Sequence, residues 1–544
     1  MNATASEETA MTKNPPPPLG QQPAGKSTPK SNGKPASSTA LPPPRSHGYS
    51  TANADPVRSN MVKPGRFGFL FPELSTSPWT TGSPTTDAQV AEELGAAMHA
   101  PVAIPTSGVI PAGFTYFGQF VDHDITFDPT SIGENAVDVG DLVNFRSPAL
   151  DLDSLYGSGP RDQPFLYRRQ TETRANQFIL GPVKDSGPGP GTELPQVHAL
   201  DGAAYDLPRT CFLQGDATAI LGDKRNDENL IVAQLHRTML HFHNAICLAF
   251  PEKSFLDVRR MVIHHYQRVL LNQFLPLIVG QQAVDDAMTE LKFYRIGPGE
   301  LATEPFIPLE FSGAAYRFGH SMVRSKYEFN RVFAAGTDFR LAFAFTGDGF
   351  ATAPGGPLLQ YPTNWLLDFG AFFPDLGRTP QMAGAIDASI SDQLMIGAPP
   401  GRPLAALNLL RGSVHYKLPT GQAVAGRMGM PLLTKAELES GTGGAVIKKF
   451  NIAEHTPLWF YLLKEAEVKA GSQHLGPTGA AIVAEVFVGL MKDDPESLLG
   501  NPPKPGEELP SADGRFKISD LFNFTEKQKG KGNIPAAGVI NPLA

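Results

Sequence analysis

The sequence predicts a mainly α fold, one large helical domain with long loops and few short strands, and three observations predict it. Apolar residues recur at helical spacing over long runs, alternating strand patterns are few and short, and 54 glycines with 51 prolines supply loop-forming spacers. The clearest run, "NDENLIVAQLHRTMLHFHNAICLAFP", places Leu230, Val232, Ala233, Leu235, Met239, Leu240 and Ile246 on a helical repeat and stops at Pro251. A second, "SFLDVRRMVIHHYQRVLLNQFLPLIVG", repeats the pattern through Leu256, Val258, Val262, Ile263, Tyr266, Val269 and Leu270. "TPLWFYLLKEAEVKAG" and "GPTGAAIVAEVFVGLMKD" read as two further helices.

Composition bounds the rest. Residues 1–60 are rich in Pro, Ser, Thr, Gly and Asn and read as a disordered tail, because they cannot bury enough apolar surface to offset ordering entropy. Globular sequence starts near "GRFGFLFPEL", so a single domain is expected over 61–544, with about the last 25 residues able to be flexible. The net charge of −8 argues against a nucleic-acid binder, which needs clustered Lys and Arg. Cys211 and Cys247 are too few for a disulfide framework or a four-thiolate metal site, and Cys247 reads as a buried free thiol. No stretch reaches the roughly 18 apolar residues of a membrane helix. The N-terminus lacks the apolar core of a secretory signal, so cytoplasmic residence is the default, with export by another route open.

Four islands carry candidate chemistry. In "FTYFGQFVDHDITF" a helix is expected over Phe114–His123, with Gln119 and His123 one turn apart on one face, Asp122 beside them and Asp124 where the helix should end. A buried neutral histidine there can accept and return a proton near pH 7. "QGDATAILGDKRNDENL" sets Arg225 and Glu228 one turn apart, "AAYRFGHSMVRS" sets Arg317 and His320 on one face, and "LAALNLLRGSVHY" spaces Asn408 and Arg411 by three. Singly, each reads as a surface ion pair or a satisfied core histidine.

Together, in this order, they resemble the animal-type haem peroxidases, the peroxidase–cyclooxygenase superfamily typified by myeloperoxidase, over roughly residues 65–490. The resemblance implies a helical haem-peroxidase domain holding haem b. It implies His123, Gln119 and Arg225 as the distal histidine, glutamine and arginine, and His320 as the proximal iron ligand. Asn408 would accept a hydrogen bond from that ligand's other ring nitrogen, and Arg317 and Arg411 would lie near the haem propionates. Asp122 and Glu228 occupy the positions that form ester bonds to haem. Asn229 stands where myeloperoxidase has methionine, so that enzyme's sulfonium link should be absent. The implied partners are hydrogen peroxide and a small donor, a halide, thiocyanate or an aromatic, oxidised through a ferryl intermediate.

The resemblance also accounts for Asp124. In "NFRSPALDLDSLYGSG", Ser147, the Ala149 carbonyl, Asp151 and Asp153 match the family's calcium loop, which Asp124 completes; oxygen donors at alternate positions suit a hard cation. This chain has aspartate at 153 where the family has serine, which makes the site more acidic.

Two other functions compete. A fatty-acid dioxygenase of the same superfamily uses a tyrosine three residues before the proximal histidine. Here Arg317 holds that position, and Tyr316, one residue further, is expected to turn away by about 100°. A non-enzymatic calcium-binding scaffold is the other, disfavoured by the intact Gln119, His123, Arg225, His320 and Asn408. His236, His241 and His243, and the adjacent His264 and His265, lack a zinc-helix spacing and read as core packing and helix–helix hydrogen bonds.

Overall fold

The apolar runs become helices, and the caps explain their ends. A computed structural model describes residues 65–100, 108–128, 142–168, 177–185, 193–210, 217–344, 346–347, 360–396 and 402–544. Its frame is α1 (Pro84–Met98), α2 (Gly113–Ile125), α3 (Leu230–Ala249), α4 (Phe255–Val269), α5 (Leu404–Leu410), α6 (Leu458–Ala470), α7 (Pro477–Asp493) and α8 (Ile518–Glu526). The chain is mainly helical, as expected. The expected N-terminal tail and Cys211 lie outside the described residues, whereas Cys247 is buried and free.

α3 is the central helix, buried from Leu230 to Cys247. The Asn229 side chain caps it by accepting from the Ile231 and Val232 amides at 3.2 and 3.1 Å. α2 packs against it, and Phe117 and Phe120 meet Tyr266 of α4 edge-on at 6.1 and 6.4 Å. α2 runs past the expected end at His123, so Asp124 lies in its last turn and Thr126 caps it through the Asp122 carbonyl.

The second run is helical without a break over 255–279. A Ser254–Asp257 capping box starts α4, and a π turn over Leu270–Phe274 carries it on into Leu275–Val279. Pro276 offers no amide to residue 272 and its ring crowds that carbonyl, so the turn widens there. A second π turn, Arg411–His415, follows α5 and sets where Arg411 stands.

Strands are minor. β1 (Gly65–Gly68) pairs antiparallel with β2 (Val143–Asn144) and parallel with β3 (Ile307–Pro308). Just beyond β3, the fully buried Glu310 carboxylate accepts from the Leu70 and Phe71 amides at 2.8 and 3.1 Å. Burial outweighs those two donors and pushes its pKa up to about 7.

Two expectations follow. A Cβ on Gly95 of α1 would lie 2.3 Å from the Ala406 backbone nitrogen of α5, two residues before Asn408. Gly95→Ala should therefore lower stability by about 1–3 kcal/mol, read as a lower urea midpoint. Glu310 takes its proton in the fold at a higher pH than the unfolded value of 4.5, so this group's cost appears as pH rises from 4.5 towards about 7. Glu310→Gln should remove that fall, seen as a flatter dependence of the urea midpoint on pH across the same range.

Candidate active site

A cavity of about 1190 Å³ brings the islands together. α2 contributes Gln119, Asp122 and His123, the turn before α3 contributes Glu228 and Asn229, and α5 with its π turn contributes Asn408 and Arg411. Arg317 and His320 come from a 3-10 turn, Ala315–Phe318, that runs into the short helix Gly319–Met322. Phe339 and Phe343, whose rings meet edge-on at 5.2 Å, line it together with Arg340, Asp392, Gln393 and Leu394.

His123 is 4% exposed, and its Nδ1 lies 2.8 Å from Asn226 Oδ1. Burial, then the nearby Arg225 charge, lowers its pKa to about 4, so the ring is a neutral base at pH 7. Gln119 accepts from Asn229 Nδ2 at 3.1 Å and donates to Glu228 Oε2 at 3.4 Å. Asn229 thus holds Gln119 in the cavity while capping α3. Burial raises the Glu228 pKa. Asp122 accepts from the Thr126 hydroxyl at 2.9 Å and lines the cavity from the end of α2.

His320 is likewise neutral, its pKa lowered to about 3 by burial and then by Arg317 and Arg411. Its Nδ1 is tied to Asn408, and the ring lines the cavity. The expected sense of that bond is not what is found. Asn408 presents Nδ2 to His320 Nδ1 at 2.8 Å, because its Oδ1 accepts from Arg317 Nη1 at 3.2 Å. The asparagine is here a donor, not the acceptor the sequence led one to expect.

Arg225 lines an adjoining cavity of about 260 Å³ that shares Asp122, Glu228, Arg317 and Arg411 with the large one. Asp223 accepts from its Nε at 3.1 Å and from its Nη2 at 2.8 Å. Nη2 further donates to the carbonyls of His123 and Thr126 at 3.1 and 2.6 Å, and the guanidinium sits 4.5 Å over the Phe127 ring. Tyr316 differs too. It lines the large cavity, and its hydroxyl donates to the Gly118 carbonyl at 3.2 Å instead of turning away.

Asp124, Asp151 and Asp153 are all buried, with ligand oxygens within 4.8 Å of one another. Ser147 joins them, its hydroxyl donating to Asp151 Oδ1 at 2.9 Å and its amide to Asp153 Oδ2 at 3.1 Å, and Ala149 lies on the same loop. Burial and mutual repulsion push the Asp153 pKa up to about 7 and that of Asp124 well above the carboxylate range. Arg146 and Arg259 approach Asp153 and Asp151 at 3.4 and 3.5 Å. Three crowded, buried oxygen donors fit a divalent hard cation.

Residues the sequence did not single out are Asn226, Asp223, Arg146 and Asn229 in its tie to Gln119. Asp223 and Asn226 flank Arg225 within "GDKRNDEN", the signal that could have flagged them. His236, read as core packing and helix–helix hydrogen bonding, bonds Asn226 of the turn before α3 at 2.9 Å. His243 bonds the Tyr156 hydroxyl at 3.0 Å, and His265 bonds the Met261 carbonyl at 2.6 Å, as core histidines do.

The family profile described as animal haem peroxidase matches residues 136–494. A peroxidase-like protein of Margaritifera margaritifera is 26% identical over 258 residues, 39% of this chain and 32% of that one. The chorion peroxidase of Drosophila melanogaster is 27% identical over 310 residues, 53% of this chain and 34% of that one. The chain thus spans about a third of the length of these relatives. Among solved structures, peroxidase A from Dictyostelium discoideum superposes with a TM-score of 0.53 at 16% identity, covering 88% of this chain and 94% of that one. Fatty acid alpha-dioxygenase of Arabidopsis thaliana gives 0.53 at 15%, covering 84% and 77%. With two-thirds of its length under that profile and the fold in agreement, the chain belongs to the animal haem peroxidase family.

Proposed function

We propose that the protein is a haem b peroxidase that reduces hydrogen peroxide and oxidises a small donor. The main support is that His123 and His320, both neutral through burial, line one cavity large enough for a cofactor and a substrate together. Haem b, when bound, supplies the iron at which the peroxide O–O bond is cleaved and the oxidising equivalents the donor consumes. His320 is the residue to hold the iron, with Asn408 behind it. Arg317 and Arg411 offer cations to the propionates, and Asp122 and Glu228 are the carboxylates able to form ester links.

The chain's own part is proton handling and positioning. His123 takes a proton from one peroxide oxygen and returns it to the other, a transfer that contributes roughly 10²–10⁴-fold in such chemistry. Gln119, held by Asn229 and Glu228, hydrogen-bonds the water or donor beside it. Arg225 supplies a permanent positive charge from the adjoining cavity. The Phe339 and Phe343 rings in the lining favour an aromatic donor alongside halide or thiocyanate. We further propose calcium at Asp124, Ser147, Ala149, Asp151 and Asp153.

A second reading, fatty-acid oxygenation, has one observation behind it: Tyr316 lines the cavity, in a fold shared with a fatty acid alpha-dioxygenase. Oxygen uptake with a polyunsaturated fatty acid, against peroxide-dependent phenol or bromide oxidation, separates the two.

Haem-reconstituted protein should show a Soret band that peroxide perturbs. His320→Ala should abolish haem retention, and His123→Leu should keep the band while cutting phenol oxidation by about 100-fold or more. No Soret band after reconstitution would end the proposal. Stripping calcium with a chelator should lower both the melting temperature and peroxide turnover, because Asp124 adjoins His123; unchanged turnover after verified metal loss would refute the cation's role. Acid extraction after peroxide treatment should leave haem on the polypeptide, and Asp122→Asn with Glu228→Gln should release it.

A further inference from the structure

His123 is one end of a buried polar chain that crosses from α2 to α3. Its Nδ1 lies 2.8 Å from Asn226 Oδ1, and Asn226 Nδ2 lies 2.9 Å from His236 Nδ1. All three residues are buried, with His123 at 4%, Asn226 at 0% and His236 at 1% exposure. A carboxamide has one accepting end and one donating end. An asparagine between two Nδ1 atoms therefore imposes opposite tautomers on the two imidazoles. The ring facing the oxygen must carry its proton on Nδ1, and the ring facing the NH2 must not.

We infer that Asn226 is the positioning residue that sets the tautomer of His123, and with it the opposite tautomer of His236. The oxygen faces His123, so its proton sits on Nδ1 and the Nε2 lone pair is left for the cavity. That is the form able to take a proton from peroxide; the other tautomer would present an N–H there and could not. His236 carries its proton on Nε2. The charged groups around His123 are Arg225 and Asp223 from the preceding turn and Asp122 on its own helix, and none of them bonds its ring nitrogens among the described residues. The amide alone therefore decides which nitrogen is protonated.

The catalytic consequence rests on the peroxidase reading, but the tautomers do not, and the test uses that difference. The full chain, labelled with 15N-histidine, is examined by long-range proton–nitrogen spectra, with His123→Gln and His236→Gln assigning the two rings. His123 should be protonated on Nδ1 and His236 on Nε2. Asn226→Leu, similar in volume but without a polar end, should return His123 largely to the Nε2-protonated form. Asn226→Asp accepts from both rings, so it should keep His123 as it is and switch His236 to Nδ1. In haem-reconstituted protein, association of hydrogen cyanide delivers the cyanide carbon to iron and the proton to His123 Nε2. It should slow by at least about tenfold in Asn226→Leu and recover in Asn226→Asp. An Nε2-protonated His123 in the unsubstituted protein, like tautomers on both rings, or an unchanged His123 in a folded Asn226→Leu would each overturn the inference. Failure to bind haem would instead count against the peroxidase reading and leave the spectra to decide this one.

Discussion

Three buried carboxylates whose oxygens lie within 4.8 Å set the main constraint on this structure. Two arginines at 3.4 and 3.5 Å offset part of the repulsion, yet burial still drives protons onto Asp124 and Asp153. Only protonation or a divalent cation removes the remainder, and a cation does so while keeping every oxygen as a ligand. Because Asp124 sits in the last turn of α2, whatever balances the cluster also holds that turn. Asp124 accepts from the Leu152 amide at 3.2 Å and the Tyr266 hydroxyl at 3.3 Å, tying α2 to the 142–157 loop and to α4. The residue before it is His123. The position of the His123 imidazole thus depends on a charge problem solved on the other side of the same turn.

The same cluster reaches the neighbouring arginine by a different path. Arg146 bridges Asp153 at 3.4 Å and Asp223 at 2.8 Å, and Asp223 holds Arg225. Asp223 keeps its charge, with a pKa of about 2, because the Arg225 and Arg146 guanidiniums outweigh its burial. An ion-pair chain of this kind stiffens the segment before α3. It also explains why Arg225 faces the smaller cavity: two carboxylate oxygens and two carbonyls hold it with better geometry than an unpaired view of the larger one would.

Much of this was legible in the sequence, and what was missed has physical causes. Apolar periodicity marked α3, α6 and α7 because a buried helix needs that repeat. It could not see that the turn ahead of Pro276 would widen, since Leu270 and Phe274 stay buried through it. The spacing of Gln119, Asp122, His123 and Asp124 brought out the end of α2, because four chemistry-bearing side chains in so short a stretch are unusual in a buried helix. Asn226 and Asp223 were passed over because an asparagine and an aspartate before a helix ordinarily read as caps and turns. His236 was taken as core packing and helix–helix hydrogen bonding for a sound reason: its partner comes from a turn ten residues earlier, a pairing no helical spacing encodes.

Asn408 shows where residue identity stops short of function. An imidazole that binds iron through Nε2 has its proton on Nδ1 and needs an oxygen facing it. In the structure the amide offers nitrogen, because Arg317 has taken the oxygen. Arg317 stands near Arg411, and desolvation, then the Arg411 charge, lowers its pKa to about 10. Both guanidiniums line the same cavity as His320 and the smaller one beside it, so the end of the site next to Asn408 is cationic. The direction of the Asn408 amide is thus tied to Arg317, a residue 91 positions away whose effect no local spacing encodes.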